Sequence, residues 1–209
     1  MDEVNPSRRW TQRRDGPRAH KAEATREALV AAGRALFAER GYHDVSVRDV
    51  TARAGVTRGS LTHHFGGKEA LFLAVFDAVE RELIAEIAAH AAARTDLNSW
   101  AGFRSGLQVY LDAATRTDVQ RITLIDGPAV LGWLRWRKVE EGYSLGSLTA
   151  VLQSAMDDRL IRSRPVEPLA HLIFGSVMEA ALLIANSEAP ARRRQEVGEA
   201  LDDLLRGLE

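Results

Sequence analysis

From Lys21 to Arg40 the apolar residues Leu29, Ala32, Leu36 and Phe37 recur at the spacing of one helix face, and Gly41 follows as a left-handed terminator. Ser46 with Asp49 three residues on has the pattern of a helix N-cap and its acidic partner, opening a short helix that Gly55 closes. Thr57 then caps a two-turn segment, Arg58 to Phe65, which Gly66-Gly67 ends. Lys68 starts a long helix through about Ala93, with Leu71, Val75, Val79, Leu83 and Ile87 on one face. Further amphipathic segments follow, with breaks expected at Thr95 to Ser99, Thr117-Asp118, Gly127-Pro128, Gly142, Arg162 to Pro165 and Ala189-Pro190. The pattern predicts an all-α protein.

Composition narrows the class. The 209 residues are 45% hydrophobic and 27% charged, the balance of an ordinary globular chain and too apolar for a disordered one. With no cysteine there is no disulfide framework, thiolate metal site or cysteine nucleophile. Met1 to His20 lacks the apolar core of a secretory signal, so a cytoplasmic location is expected. The apolar run Leu169 to Ala185, interrupted by His171 and Glu179, falls short of the ~20 residues that span a bilayer and reads as a buried helix. Net charge is only −1, but it is unevenly spread: residues 1–68 hold 13 Lys+Arg against 8 Asp+Glu, and residues 69–209 hold 15 against 21. An anionic partner is expected at the basic end.

Residues 46–65, SVRDVTARAGVTRGSLTHHF, describe two short helices joined by a turn at Gly55, the geometry of a helix-turn-helix. Val50, Ala54, Val56, Leu61 and Phe65 are the packing positions, which leaves Arg48, Thr57, Arg58, Thr62, His63 and His64 facing outward. The second helix carries no carboxylate, so its positive N-terminal end suits a groove lined by phosphates.

The stretch Thr25 to Phe76, with LFAERGY, SVRDV, AGVTRGSL, HHF and KEAL in order, strongly resembles the DNA-binding domain of the TetR family of bacterial transcriptional regulators. LIDGPAVLGWLRW and VEPLAHLIFG resemble one branch of TetR ligand-binding domains. The resemblance implies a basic, flexible arm over 1–20, a helix-turn-helix domain over 21–68 and a helical ligand-binding and dimerisation domain over 69–209, joined by the helix from Lys68. It further implies a homodimeric repressor on a palindromic double-stranded operator, released by a small-molecule inducer and needing no cofactor. Residue by residue, Arg48 matches a base-contacting position and Ser46 a phosphate-contacting cap. Thr57 matches a phosphate contact, Arg58, Gly59 and His63 positions near base edges, and His64 and Lys68 backbone contacts. The family usually places Tyr where this chain has Thr62, whose hydroxyl and methyl have a shorter reach.

Phe103, Tyr110, Trp133, Trp136, Phe174 and Met178 are candidate lining for a hydrophobic or aromatic inducer, with Asp126 as a polar anchor, although Asp126-Gly127-Pro128 is most simply a helix stop and restart. Most large apolar residues at helical spacing are core, and about half of these are expected to touch a ligand. The last two long helices, roughly Val166 to Asn186 and Ala191 to Leu208, are expected to form the dimer seam. Gly175, Ala181 and Ala185 would permit close approach, and Val197, Leu201, Leu204, Leu205 and Leu208 would form its apolar stripe.

Adjacent His63 and His64 point about 100° apart on a helix, so no metal is expected there. Arg8, Arg9, Arg13, Arg14 and Arg18 form a basic arm, but Asp2, Glu3 and Asp15 dilute it and favour a solvated tail over a groove-entering one. Arg192 to Arg194 opposes the dipole of its own helix and marks an ion-pair site. No HExxH, G-x-S-x-G or local acid–base constellation points to an enzyme. The competing readings are an activator, a regulator without a small-molecule inducer, and a helical interaction module that does not bind DNA. The lack of aromatic stacking residues exposed between 46 and 68 counts against single-stranded RNA.

Overall fold

A computed structural model describes residues 17–209, so Arg8, Arg9, Arg13 and Arg14 of the basic arm lie outside the described residues. Among the described residues there are nine α-helices and no strand. They are α1 (Pro17–Arg40), α2 (Val47–Ala54), α3 (Arg58–Phe65), α4 (Lys68–Ala93), α5 (Ser99–Ala113), α6 (Gly127–Leu131), α7 (Trp133–Asp157), α8 (Val166–Ala185) and α9 (Pro190–Arg206), with a π-helical segment at Val119–Asp126 leading into α6.

The head, α1 to α3 with the start of α4, is set by local chemistry. Ser46 and Asp49 form a reciprocal capping box: the Asp49 amide donates to Ser46 Oγ at 3.2 Å and the Ser46 amide to Asp49 Oδ2 at 2.8 Å. Thr57 Oγ1 accepts the Ser60 amide at 3.2 Å at the start of α3. Each cap contributes about 1 kcal/mol, which matters for helices of only two turns. Beneath them Leu29, Phe37, Val50, Leu61, Leu71 and Phe72 are fully buried. The rings of Phe37, Tyr42 and Phe72 meet at centroid distances of 5.1 to 5.8 Å. Val50 and Leu61 are core as the pattern predicts, whereas Ala54, Val56 and Phe65 are half-buried.

Helix α4 belongs to both halves of the molecule. Leu71, Phe72 and Val75 pack in the head, and Val79 and Leu83 enter the body formed by α5, α7 and α8. Helix α9 docks on this body through buried Leu201 and Leu205. Arg104 reaches both Asp202 and Glu209 at 2.8 Å, and Arg194 pairs with Asp112, tying α9 to α5. Arg192 and Arg193 share Glu196, so the three arginines are ion-paired as anticipated.

Three expectations are corrected. Gly142 does not break α7, because Trp136, Leu148, Leu152 and Ala155 bury one continuous face and outweigh the roughly 1 kcal/mol cost of an interior glycine. Gly127-Pro128 is not a stop: the π-helical segment runs straight into α6, and the chain turns at Gly132, with φ 77° and ψ 146°. Of the stripe on the last two helices, Ala181, Leu201 and Leu205 face inward and are already covered by the chain's own core. Ala185 is buried with them, Gly175, Val197 and Leu208 are half-buried, and Leu204 is exposed. Among the described residues α8 is the one helix long and apolar enough to cross a membrane, and half of that apolar window is buried in the fold.

Gly41 and Gly142 should respond oppositely to the same change. Gly41 has φ 81°, and an added Cβ would meet the Arg121 guanidinium, so Gly41→Ala should cost about 1 to 2 kcal/mol in urea unfolding. Gly142 is helical, exposed and has open space where a Cβ would sit, so Gly142→Ala should stabilise by about 0.5 to 1 kcal/mol.

Candidate nucleic-acid interface and buried acid cluster

Helix α3 is anchored by Leu61 and presents the rest of its surface outward. Arg48, Thr57, Arg58, Gly59, Thr62 and His63 are exposed with Ser46, and His64 is half-buried. Neither Arg48 nor Arg58 has an ion-pair partner among the described residues, so both guanidinium groups are available. The amides of Arg58 and Gly59 open α3, where helix geometry leaves N–H groups without an intrahelical acceptor. Gly59 keeps the backbone bare at that end. Thr62 Oγ1 donates to the Arg58 carbonyl oxygen at 3.2 Å, so its hydroxyl proton is engaged within α3. The face is therefore basic and hydrogen-bond-rich, its one nearby carboxylate, Asp49, is held in the α2 cap by Ser46, and α3 itself carries no acid.

Lys68 is not placed with this face. Its ammonium donates to the carbonyl oxygens of Tyr42 at 2.7 Å and Val45 at 2.8 Å and lies 4.1 Å from the centre of the Tyr42 ring. Burial draws its pKa below the ordinary lysine value, opposed by Asp126 and Asp44. The loop between α1 and α2 thus consumes the charge expected at a phosphate. Asp126 is likewise engaged within the chain: it is buried, accepts the Tyr42 amide at 2.6 Å and lies 3.6 Å from Arg121. Arg121 also points to the Arg40 carbonyl oxygen, and Arg34 of α1 pairs with Asp118 at 2.7 Å and Glu82 at 2.6 Å. Both ends of the π-helical segment are therefore fastened to the head.

The ligand candidates separate into groups. Tyr110, Trp136, Phe174 and Met178 all belong to the body's core, and the Tyr110 hydroxyl lies 3.8 Å from Met178 Sδ. Trp136 is buried and its indole N–H donates to the Thr123 carbonyl oxygen at 2.9 Å, inside the π-helical segment. Phe103 stacks on Trp100 and is half-buried, while Trp133 packs on Trp136 but is 49% exposed. Two open grooves, of about 410 Å³ between α5 and α9 and about 350 Å³ between α8 and α9, contain none of these residues.

Two acids in the same region escaped the sequence reading. Glu80 of α4 and Glu140 of α7 are each 5% exposed. Tyr143 donates to Asp77 at 2.6 Å across the two helices, with Glu140 one turn before the tyrosine and Glu80 one turn after the aspartate. Burial raises Glu80 to about 7. Glu140 is pushed well above the carboxylate range by burial and then by the charge of Glu80. The Tyr110 hydroxyl is raised by burial and by both acids. Glu140 Oε1 is inaccessible and has no hydrogen-bond partner. The available signal was register: Glu80 follows Phe76 by one turn and Glu140 follows Trp136 by one turn, on buried stripes.

Comparison with known proteins agrees with this layout. Residues 29–75 match the family model for bacterial regulatory proteins of the tetR family, and residues 100–208 match that for a tetracyclin repressor-like C-terminal domain. The chain is 27% identical over 173 residues to the transposon Tn10 TetC protein of Escherichia coli, covering 82% of this chain and 86% of that one. Its head is 43% identical over 51 residues to the HTH-type transcriptional repressor AcnR of Corynebacterium efficiens, covering 24% and 27% of the two chains. The crystal structure of a TetR-family transcriptional regulator from Pectobacterium atrosepticum superposes with a TM-score of 0.79 at 36% identity, covering 90% of this chain and 96% of that one.

The acid pair sets the sign of one pH dependence. An acid whose folded pKa is raised binds more protons in the native state, so its contribution to stability is full at low pH and falls as pH rises through the folded value. For Glu80 stability should therefore decline from about pH 5 through about pH 7 by up to about 1.4 kcal/mol per pH unit, and the raised Glu140 adds a loss of the same sign as pH rises. Urea unfolding of Glu80→Gln and Glu140→Gln across that range should give a flatter profile than the parent.

Proposed function

The chain belongs to the TetR family and is a DNA-binding transcriptional regulator, and from that premise we propose that it is a ligand-responsive repressor acting in the cytoplasm by binding alone. Two copies hold a palindromic operator with their α3 helices, and a small molecule in the body releases them. The observation that carries this reading is the wiring between the two ends: a head whose α3 carries no carboxylate, fastened through Tyr42 to a π-helical segment that the buried core of the body also grips.

In the DNA complex Arg48, Arg58, Gly59 and His63 approach base edges, while Ser46, Thr57, Thr62 and His64 take phosphate or thymine-methyl contacts. Lys68 serves by holding the α1–α2 loop in place. The two recognition helices of a dimer must meet half-sites about one helical turn, ~34 to 36 Å, apart.

The dimer seam is drawn on the outward faces of α8 and α9. Leu172, Leu183 and Leu204 are exposed at 70%, 46% and 56%, and half-buried Gly175, Val197 and Leu208 flank them. Pairing these faces across a two-fold axis gives a four-helix bundle and removes large exposed leucines from water.

The coupling runs through Trp136. A ligand among Tyr110, Trp136, Phe174 and Met178 that shifts the indole acts on the Thr123 carbonyl, and the segment it belongs to ends at Asp126 and hence at Tyr42. π-helical turns are rare and concentrate at functional sites, consistent with a segment having two arrangements. By linkage, DNA must weaken ligand binding by the factor with which ligand weakens DNA.

Two measurements test the reading. In fluorescence anisotropy, Arg58→Ala should lose about 1 to 3 kcal/mol on the operator and relax preference at one base pair per half-site. Lys68→Met should instead lower head stability and operator affinity together while leaving the ranking of sequences unchanged. An unchanged operator-to-scrambled ratio in Arg58→Ala would show that α3 does not read bases there. In sedimentation, Leu172→Glu with Leu204→Glu should yield folded monomers, whereas a persistent dimer would place the interface elsewhere.

A further inference from the structure

We propose that Glu80 and Glu140 form the acidic end of the ligand site and that the ligand it takes is an organic cation, a protonated amine or amidine carried on an apolar or aromatic body. The assignment rests on the ligand-responsive reading above and adds the chemistry of the ligand.

A carboxylate removed from water must be neutralised, paired or hydrogen-bonded, because leaving it charged and alone costs several kcal/mol. Neither acid forms an ion pair among the described residues. The nearby cations are engaged elsewhere: Arg81 with Asp77 at 2.9 Å, and Arg137 with Glu141 at 3.1 Å and over the Phe174 ring. Glu140 Oε1 is fully enclosed and accepts no hydrogen bond. The Tyr110 hydroxyl, buried where it feels the charge of both acids, has only a thioether sulfur at 3.8 Å to donate to, which is a weak acceptor. Polar groups from α4, α5 and α7 thus lie in one apolar interior, with Glu140 Oε1 unpaired and the Tyr110 hydroxyl only weakly paired.

The unused capacity selects the ligand by elimination. A neutral apolar molecule would leave both acids unpaired, and an anion would be repelled by them. A nitrogen cation bearing N–H groups offsets the charge of the pair and donates to Glu140 Oε1 in one step, while its apolar body meets Trp136, Phe174 and Met178. The same cation competes with the proton that otherwise neutralises the pair. The titratable groups facing the pair are Tyr110 on α5, Tyr143 on α7 and Asp77 on α4, and the last two already bond each other. Because Glu140 lies one turn from Trp136, occupation of the acidic end acts beside the indole that grips the π-helical segment.

The test uses the full chain and matched probe pairs, benzamidinium against benzamide and 2-phenylethylammonium against 2-phenylethanol, by thermal shift and calorimetry. At least one cation should bind at least about tenfold more tightly than its neutral partner, and its affinity should rise between about pH 6 and about pH 8 as the pair gives up its proton. Glu80→Gln and Glu140→Gln keep the shape and remove the charge. Each should fold at least as stably as the parent and abolish the preference for the cation. Binding by neither cation, equal binding within both pairs, or a preference that survives in the double glutamine variant overturns the assignment. An operator assay separates this from the broader reading. Release by neutral compounds alone would overturn the cation site and leave the regulator standing. Glutamate-dependent cation binding without any change in operator affinity would support the site and count against ligand-responsive repression.

Discussion

The chain between α1 and α2 has backbone polar groups that no helix satisfies, and the way they are satisfied joins the molecule. The Tyr42 amide goes to Asp126, and the Tyr42 and Val45 carbonyls go to Lys68. An unpaired buried peptide group costs about 1 to 3 kcal/mol, so this loop holds its shape only while residues 26 and 84 positions away remain in place. The head is a small unit, and the position of α2 and α3 relative to the body is inherited from that loop. Exposed arginines on α3 have a defined direction because buried groups behind them do.

What the sequence disclosed follows from the range of the physics involved. Caps and turn glycines act within four residues, so Ser46 with Asp49, Thr57 and Gly41 were legible, and with them the whole helix-turn-helix. Gly142 misled because its local preference yields to a buried face that only the folded body supplies. The π-helical segment has no composition of its own, so Asp126-Gly127-Pro128 looked like an ordinary break. On α9, periodicity puts Val197, Leu201, Leu204, Leu205 and Leu208 in one stripe and cannot say which edge of it meets the chain's own core, as Leu201 and Leu205 do, and which stays exposed, as Leu204 does. Lys68 and Asp126 were recognised as polar residues of consequence, but their partners within the chain are remote in sequence and so were not legible. Glu80 and Glu140 were overlooked because the helices were read for their apolar residues. Charge on a buried stripe is visible only when the stripe is scanned for exceptions.

Those exceptions place strain and specificity at one address. The body could be packed entirely with hydrocarbon, as α8 nearly is, and would then be indifferent to what entered it beyond size. Two acids in that setting would make the interior selective on the proposed reading, because they discriminate by charge where an apolar lining discriminates only by shape. They also make the empty body sensitive to protons, which links the chemistry of the core to the conditions around the protein.

The π-helical segment carries a consequence of screw geometry. Its hydrogen bonds close over five residues where those of an α-helix close over four, so the eight residues from Val119 to Asp126 wind through fewer degrees than the same residues would as α-helix. Conversion of a single turn changes the phase of everything after it by a large fraction of the roughly 100° that separates successive α-helical residues. Gly127 sits where an added Cβ would come within 3.0 Å of both Phe76 and Trp136, so the exit of the segment is held close to its neighbours on two sides. Motion delivered to Asp126 from this segment is therefore mainly a rotation about the helix axis, able to turn a hydrogen-bonding carboxylate away from Tyr42 without carrying the body bodily past the head.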